Sequence, residues 1–530
     1  MNKQTILTAI LIFLAISLYS QVNNEAITKL LYQHASDEGS GMAVGVMQNG
    51  EITYEGYVGY ANLEHQVKID KDTRFNIASN AKQFTALCVL KLIHEGKVNL
   101  EDDIRDYLPE LYPTIKDEIT ISQIIAHTSG VRDISYLWGL KGQTWWKMFV
   151  DNGDAMDLIR AQRDLNCKPG MEYIYSNSNY ILLAEIVKKV SGQDFSDFAI
   201  SMFEDLDMPS TAFRTNYMAV IPHKASPYGQ WNGWKKYPTI TETHGDGGLF
   251  TTLQDQLQWE KIIQLNDGKS LSREFIEESQ QPLEYDYGYG LEFGEYKGEK
   301  YHYHNGSTGA YNATFMRFPS RNLSIIVMAN SGSVPTYYLA AQIVDEILGL
   351  EVPLKTYPSG PEEIQARIPQ SELIGSYKGA GRDGTIINIG EREGKLYREI
   401  YQRDPAELIP EEGSLYHYLS NGAKIRMAFS KDESGVTGFS IFLSTQPVLS
   451  YERLPSFEQD KDYKLSLNGS FFNDETQTTI NIEHANGNKF IITKNGRERK
   501  GELIYKDLLR MNAYEIKIVR DEEDKIIELN

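Results

Sequence analysis

The length, composition and charge of the chain exclude several classes of protein. With 530 residues, 41% hydrophobic and 24% charged, the chain can bury a large core spread over more than one domain, which excludes intrinsic disorder and a small disulfide-stapled module. Acidic residues outnumber basic ones by 73 to 53, and the net charge of -20 would repel a phosphate backbone, so we expect no nucleic-acid partner.

The first 20 residues have the order of a signal peptide. A single cation, Lys3, precedes the apolar run Ile6–Tyr19, and the small residue Ser20 follows it. At about 1.5 Å per residue this run is about 21 Å long, shorter than the roughly 30 Å hydrocarbon core of a bilayer, so cleavage is favoured over a permanent span. We therefore expect residues 1–20 to be removed and the protein to be exported, periplasmic or extracellular, with no stable membrane span after cleavage. An uncleaved N-terminal anchor stays open as the alternative.

Residues 21–352 carry the pattern of an α+β domain. Asn49-Gly50 supplies the positive φ angles of a two-residue hairpin turn between two apolar runs. Apolar residues at helical spacing predict helices, and later alternating runs predict strands, which together indicate an antiparallel sheet flanked by helices. The predicted helices are Phe84–Ile93, Tyr180–Val190, Leu253–Leu265 and Tyr337–Leu348, and the predicted strands are Met42–Met47, Ile52–Tyr60, His302–Ala310, Tyr311–Phe318 and Leu323–Ala329.

The last third of the chain has a different sequence pattern. Four prolines between Glu351 and Pro369 fix φ angles and remove donors, so residues 353–369 are predicted to be a linker. Short alternating runs separated by Gly, Asn and Asp predict an all-β, barrel-like region over residues 370–530. Leu373–Tyr377 and Leu467–Phe471 are similar openings about 94 residues apart, which favours two repeated barrel-like units at about 370–455 and 460–530.

Ser79 and Lys82 form a Ser-x-x-Lys motif directly before the buried helix. A three-residue step on a helix places both side chains on one face. A serine hydroxyl is inert until a neighbouring group removes its proton, and an amine in a dry pocket can lose its own proton near neutral pH. On its own the motif is weak evidence, and an ordinary serine-capped helix start would be the preferred interpretation.

Two further motifs, in order along the chain, give the first one its specificity. Tyr175-Ser176-Asn177 precedes the second predicted helix, and His304-Asn305-Gly306 lies on a late strand and is followed by Ser307. With these motifs the chain resembles the serine β-lactamase and penicillin-binding-protein-like family over about residues 25–350, in the branch of class C β-lactamases, D-aminopeptidases and related esterases. Supporting likenesses are Phe75–Ser79 (FNIAS), Leu100–Leu108 (LEDDIRDYL), His127–Gly130 (HTSG) and Gly247–Asp255 (GGLFTTLQD).

The resemblance implies a role for each motif residue in an acyl-enzyme mechanism. Ser79 would be the acylated nucleophile, Lys82 and Tyr175 would share the proton relay, and which of the two is the base stays open. Both side chains have ordinary pKa values of about 10. We expect nearby cations to lower the pKa of the phenol, and nearby cations together with burial to lower the pKa of the ammonium. The family's β-lactamase/transpeptidase-like fold is implied, and no cofactor or metal is expected.

The remaining motif residues are expected to bind substrate. Asn177 would hold the substrate amide, and the N–H groups of Ser79 and Ser307, with Gly306 before the latter, would form the oxyanion hole. His304 stands where the family typically has lysine, and a mostly neutral imidazole holds a carboxylate less firmly than an ammonium. Strong β-lactamase or D-Ala-D-Ala carboxypeptidase activity is thereby put in doubt, and a D-amino-acid peptide or amide, or a small ester, fits better.

Other readings of individual residues were weighed against these roles. His302 and His304 share a strand face but lack a third metal ligand, so packing is favoured over a metal site. Trp138, Trp145 and Trp146 are candidates for the pocket wall or the core, whereas His127 and Asp246 are expected to be structural. Cys88 and Cys167 leave one disulfide open.

Two functions of different classes remain for the whole chain. The first is an exported serine hydrolase acting on an amide or ester, with a small-molecule or peptide substrate as its partner. The second is a catalytically silent, penicillin-binding-like cell-surface protein whose β-rich region, Gln370–Asn530, recognises a ligand. The intact motifs favour the enzyme, and the oligomeric state is not indicated by the sequence.

Overall fold

The computed structural model describes most of the chain and divides it into two compact units, the first of residues 1–139 and 143–352 and the second of residues 353–530 with 140–142. The described residues are 23–144, 148–230, 232–238, 240–349, 366–379, 386–400, 405–420, 423–442, 447–456, 460–494, 496–511 and 514–529. Three sequence-based predictions lie partly or wholly outside them: the signal peptide 1–20, most of the linker 353–369, and the pocket candidates Trp145 and Trp146.

The helices of the described residues lie mostly in the first unit, and the last two lie in the second. They are α1 Asn24–His34, α2 Lys82–His94, α3 Ile121–Ile125, α4 Ile134–Leu140, α5 Asn152–Arg160, α6 Asn177–Ser191, α7 Phe195–Asp205, α8 Leu253–Leu265, α9 Arg273–Ser279, α10 Thr336–Leu348, α11 Gln370–Leu373 and α12 Lys461–Ser466. Short 3₁₀ turns cover Ala78–Ala81, Ile104–Asp106 and Pro319–Arg321.

The described residues of the first unit form fourteen strands, and the strands of the second unit follow them in chain order. The first set is β1 Met42–Gln48, β2 Glu51–Val58, β3 Tyr60–Asn62, β4 Val67–Lys68, β5 Phe75–Asn76, β6 Ala212–Phe213, β7 Tyr228–Gln230, β8 Trp234–Lys236, β9 Leu249–Thr251, β10 Tyr287–Gly288, β11 Leu291–Tyr296, β12 Glu299–Thr308, β13 Tyr311–Phe318 and β14 Leu323–Ala329. The second set is β15 Gly375–Gly379, β16 Ile386–Arg392, β17 Lys395–Glu399, β18 Ala406–Glu407, β19 Ile409–Pro410, β20 Leu415–Ser420, β21 Ala423–Asp432, β22 Gly435–Phe442, β23 Pro447–Arg453, β24 Gly469–Asn473, β25 Thr478–Asn486, β26 Lys489–Lys494, β27 Arg497–Tyr505, β28 Leu508–Met511, β29 Tyr514–Arg520 and β30 Ile526–Leu529.

An antiparallel sheet of seven strands organises the first unit, in the order β10-β11-β12-β13-β14-β1-β2. Val44 in β1 pairs with Val327 in β14 on one side and with Gly56 in β2 on the other, so strands from both ends of the unit meet at its centre. β1 and β14 are almost entirely buried, as their continuous apolar runs require.

Helices cover both faces of this sheet. On one face α1 and α10 pack Ile27, Leu31, Leu339 and Ile343 into a core with the strands. On the other face α8 lies so close to β1 that a Cβ on Gly45 would stand 2.9 Å from a methyl carbon of Leu253, so a larger residue there would displace the leucine side chains of α8. The turn Ala78–Ala81 that carries the first motif packs against β12 and β13. The sheet thus supplies a rigid base for the motif residues.

The second unit is built from two antiparallel sheets. The nine-stranded sheet has the order β18-β17-β16-β15-β23-β22-β21-β20-β19, and Leu408 alone separates its two edge strands β18 and β19 along the chain. Edges joined by one residue cannot lie far apart, so this sheet curls into a nearly closed barrel. The seven-stranded sheet is a simple meander from β24 to β30. Each sheet has its own apolar core.

The predicted fold class is confirmed: an α+β unit with a helix-flanked antiparallel sheet precedes an all-β region. The helix Leu253–Leu265 has its predicted bounds, whereas α2 and α6 begin earlier than predicted, at Lys82 and Asn177, so that the motifs form the first turns of the helices. Cys88 and Cys167 are both free thiols. In the part of the chain that the structure describes, no helix is long and apolar enough to cross a membrane.

Candidate active site

A strained turn presents Ser79 at the start of α2. Ala78 has a φ of +48°, which is unfavourable for a residue with a Cβ, and its N–H donates to Asn76 Oδ1 at 2.8 Å. Asn80 fixes the turn from below, because its Nδ2 donates to the Ala313 carbonyl of β13 at 3.2 Å. Ser79 remains partly exposed between buried neighbours. A serine held in this way is preorganised for attack on a bound carbonyl.

Lys82 is fully buried and touches Ser79. Its Nζ donates to Ser79 Oγ at 3.2 Å, to Asn177 Oδ1 at 2.9 Å and to the Asp246 carbonyl at 2.7 Å. Burial lowers the pKa of the Lys82 ammonium to about 8, while the carboxylates of Asp246 and Asp133 oppose this shift. A neutral fraction therefore exists near neutral pH, and a neutral Lys82 can accept the Ser79 proton.

Tyr175 completes the contact group predicted from the motifs. Its phenol and Ser79 are joined by a side-chain hydrogen bond, and the Lys82 Nζ lies 5.0 Å from the centroid of its ring. Burial raises the pKa of the Tyr175 phenol well above its ordinary value, and the hydrogen bond with Ser79 only partly counteracts this. The expectation that nearby cations lower the phenol pKa is wrong, because desolvation outweighs them. In this resting geometry Lys82 is the better base.

Asn177 is oriented by a carboxylate that the motif analysis did not identify. Asp133 Oδ2 accepts hydrogen bonds from the Asn177 backbone N–H at 2.6 Å and from Asn177 Nδ2 at 2.9 Å. Its Oδ1 accepts from the N–H groups of Ser135 and Tyr136, so Asp133 also caps the start of α4. With Nδ2 turned to Asp133, Asn177 directs Oδ1 to Lys82. Asp133 lies three residues after the His127–Gly130 stretch, but this position alone did not predict its contact with Asn177.

His304 lies behind Tyr175 and is only 2% exposed. Its Nδ1–H donates to the Asn305 carbonyl at 2.7 Å, which leaves Nε2 to accept from the Tyr287 hydroxyl at 3.1 Å. Burial lowers the pKa of His304 to about 3, and Lys82 adds to this effect, so the ring is neutral. Neither ring nitrogen is left for a substrate carboxylate in this geometry. A direct substrate contact by His304 therefore stays a prediction.

Gly306 and Ser307 bring strand β12 against the nucleophile turn. A Cβ on Gly306 would stand 2.3 Å from the Ile77 carbonyl oxygen, so no larger residue fits without displacing the turn. In the described pairings β11 reaches only Tyr303, and residues 304–308 of β12 pair with β13 alone. This free strand edge beside Ser79 suits the docking of a substrate backbone and an oxyanion at the Ser307 N–H.

A cavity of about 150 Å³ opens over these groups. Its wall includes Ser79, Tyr175, Asn177 and Ser307, so the structure brings four predicted site residues together around one space. Trp138 lines it as well, in agreement with its reading as a pocket candidate. Asp246 and Arg214, which were not predicted to be functional, also line the cavity. The other lining residues are Asn76, Ala78, Ile134, Ser135, Pro238, Thr241, Thr243, Gly247, Gly248, Thr308, Gly309 and Tyr311.

The two histidines of β12 do not share a site. His302 lines a separate cavity of about 780 Å³, with Arg317 and Phe293, which does not include Ser79, Tyr175 or Asn177. Within the described ranges, no three His, Cys, Asp or Glu side chains come together as a metal site.

Comparison with known proteins identifies the family. The family model described as Beta-lactamase matches residues 30–347, more than half of the chain. The chain belongs to the beta-lactamase family, which confirms the resemblance seen in the motifs. Protein Flp of Staphylococcus aureus (strain MRSA252) is 29% identical over 328 residues, covering 58% of this chain and 63% of that protein. The chain thus spans less than two thirds of the length of these relatives.

Further similarity extends beyond the first unit. A D-aminopeptidase of Brucella melitensis biotype 2 (strain ATCC 23457) is 25% identical over 424 residues, 74% of this chain and 77% of that enzyme. The octameric penicillin-binding protein homologue from Pyrococcus abyssi covers 81% of this chain and 98% of its own, with a TM-score of 0.58 and 23% identity. The D-amino acid amidase from Ochrobactrum anthropi SV3 covers 62% and 98%, with a TM-score of 0.51 and 20% identity. At these identities the structures establish the fold.

Proposed function

We propose that this protein is a serine hydrolase that cleaves an amide or ester through an acyl-enzyme on Ser79. The observation that carries the proposal is the contact of the buried Lys82 Nζ with Oγ of Ser79 at 3.2 Å, since Ser79 itself lines a cavity together with Tyr175 and Asn177. A fully buried amine with a pKa lowered to about 8 is costly to keep in a protein core and is useful chiefly as a base.

The geometry supports a sequence of ordinary acyl-transfer steps. Neutral Lys82 removes the Ser79 proton as Oγ bonds to the substrate carbonyl carbon, and the carbonyl oxygen becomes an oxyanion. The N–H groups of Ser79 and Ser307 would hold this oxyanion, each donor contributing about 3 to 4 kcal/mol to the transition state. The proton then passes through Lys82 or Tyr175 to the departing nitrogen or oxygen as the bond to carbon breaks. Water, deprotonated by the same relay, hydrolyses the acyl-enzyme and restores Ser79.

The relatives favour an amide over a β-lactam as substrate. A D-aminopeptidase and a D-amino acid amidase are among the similar proteins. The neutral, hydrogen-bonded state of His304 supports the same choice, because it supplies no positive charge for the carboxylate of a penicillin or a D-Ala-D-Ala peptide. A D-amino-acid amide, a short peptide or a small ester is therefore the proposed substrate class.

A covalent probe tests the proposal directly. Purified protein is treated with a fluorophosphonate or a β-lactam, and the adduct is located by mass spectrometry. We expect labelling at Ser79 that is lost in Ser79→Ala and retained in Ser201→Ala, which removes an exposed hydroxyl on α7. Absence of labelling with several probes would instead favour the catalytically silent binding protein.

The proposal includes export from the cytoplasm. It is supported by the order of Lys3, the apolar run Ile6–Tyr19 and Ser20, all outside the described residues. Intact-mass measurement of protein recovered from the periplasm or the medium would show whether cleavage follows Ser20. Recovery of uncleaved protein in the membrane fraction would support the N-terminal anchor instead.

A further inference from the structure

Asp246 places an uncommitted carboxylate in the wall of the Ser79 cavity. Its side chain lines the cavity, and its Oδ1 is buried without a hydrogen-bond partner among the described residues. Buried carboxylate oxygens are normally paired, because an unpaired one loses its hydration without compensation. An unpaired oxygen at a substrate cavity indicates a partner that arrives with the substrate.

The Lys82 ammonium, the cation that acts most strongly on this carboxylate, is committed to other acceptors. Lys82 Nζ directs its hydrogen bonds to Ser79, Asn177 and the backbone carbonyl of Asp246, not to its carboxylate. Arg214, in the same cavity wall, donates from Nη2 to the Thr241 carbonyl at 2.6 Å, while its Nε and Nη1 have no hydrogen-bond partner among the described residues and could donate to an anion but not to a ligand amine. The second acidic group near Lys82, Asp133, already accepts four hydrogen bonds from protein groups. Among these groups, Asp246 is the acid with capacity for a ligand cation.

The backbone of Asp246 lies close to Ser79. The Asp246 carbonyl and Ser79 Oγ accept hydrogen bonds from the same Lys82 ammonium. We therefore expect a substrate group bound by the Asp246 carboxylate to lie close to the carbonyl attacked by Ser79. An amine on the carbon next to the carbonyl meets this requirement.

We propose that Asp246 binds a free ammonium group on the acyl part of the substrate, so that the enzyme selects amino-acid amides or peptide N-termini over their N-acylated counterparts. This inference rests on the proposed function for its catalytic meaning, but the binding preference itself does not require turnover. Asp246 is then a specificity-determining residue in addition to the backbone acceptor of Lys82.

Calorimetry on the Ser79→Ala protein tests the preference without catalysis. Alaninamide and N-acetylalaninamide, each as the D and the L form, are titrated into the full-length variant. We expect the free amine of at least one enantiomer to bind about tenfold or more tightly than its acetylated form, since loss of a buried charge pair costs at least this much. Equal binding, tighter binding of the acetylated form, or no binding of either would overturn the proposal.

A second substitution assigns the preference to Asp246. In Ser79→Ala/Asp246→Asn we expect the difference between the two ligands to disappear, whereas Ser79→Ala/Asp255→Asn keeps it. Asp255 is a matched control because it is also largely buried but bonds Ser210 and Thr211 away from the cavity. If Asp246 only tunes Lys82, both ligands weaken alike and the proposal fails. Should Ser79 prove not to be acylated, the hydrolase proposal fails while this binding comparison still stands or falls by itself.

Discussion

The two units of the protein differ in what they bury. In the first unit charged and polar side chains such as Lys82, Asp133, Glu260 and Arg317 are almost fully buried beside α2 and the sheet. In the second unit the two cores are clusters of aliphatic and aromatic side chains, represented by Phe439 and Ile492, and the buried charged residues Lys494 and Arg510 each keep 9% of their surface exposed. Because burying a charge is unfavourable unless it is paired or used, the contrast supports the proposed chemistry in the first unit and a packing role for the two cores of the second.

Replacing Lys82 gives the largest expected effect and tests whether its burial serves catalysis. Lys82→Met keeps the volume of the side chain but removes the base, so we expect Ser79 labelling to slow by about 10² to 10⁴-fold. The free energy of unfolding should change little, because the substitution removes the cost of burying an ammonium together with the hydrogen bonds of that ammonium. Lys91→Met, on the same helix but only partly buried, is the control and should label like the wild type. Unchanged labelling in Lys82→Met would transfer the base role to Tyr175.

The part of the site that is local in sequence was predictable, and the part that depends on packing was not. Ser79 and Lys82 are three residues apart on one helical turn, so their contact follows from helix geometry. Tyr175 and Asn177 were placed by family resemblance. Nothing in the sequence showed that Asp133 would hold Asn177, since that contact joins positions 44 residues apart.

The fold shows the same division. The helices and central strands of the first unit follow from hydrophobic periodicity, and the all-β character of the second follows from alternating runs. The pairing of β15 with β23, Tyr377 opposite Arg453, could not be predicted, because alternation fixes which face is buried but not which strand is the neighbour.

A buried ion pair in the first unit tests the comparison between the two units through protein stability. Arg317 Nη2 and Glu260 Oε1 are 2.7 Å apart with both side chains nearly inaccessible, and Gln83 next to Lys82 accepts from the same guanidinium. Glu260→Gln leaves this guanidinium without its counter-charge, so we expect a loss of about 3 kcal/mol in the free energy of unfolding. Denaturant titration measures it. Glu407→Gln, which breaks an exposed pair with Lys395 in the second unit, should cause no measurable change.

A small cavity tests how well the apolar core of the nine-stranded sheet is packed. Ile441→Val removes one methylene from a side chain that is 4% exposed within the nine-stranded sheet. We expect a loss of about 1 kcal/mol in calorimetric stability. Ile409→Val removes the same group from a side chain that is 39% exposed and should leave stability unchanged. Equal effects of the two substitutions would mean that this core is loosely packed.

Asp133 gives the smallest expected effect and the one most specific to the first unit. Its carboxylate raises the pKa of Lys82 against the dominant effect of burial. The proposed mechanism requires neutral Lys82, so the rate of Ser79 acylation should rise with pH to a half-maximum at about pH 8. Asp133→Asn removes a negative charge that favours the ammonium, which lowers the Lys82 pKa and moves the rising limb to lower pH by about half a unit.

The pH at which the acylation rate rises distinguishes this electrostatic role of Asp133 from a structural one. Asp255→Asn removes another largely buried carboxylate of the same unit, which bonds the Ser210 N–H and the Thr211 hydroxyl. It should lower stability without moving the limb, because Asp255 is not among the groups that act on Lys82. A limb that stays in place in Asp133→Asn, with only the maximal rate reduced, would show that Asp133 acts solely by holding Asn177. The buried charges of the first unit would then orient the site without tuning its base.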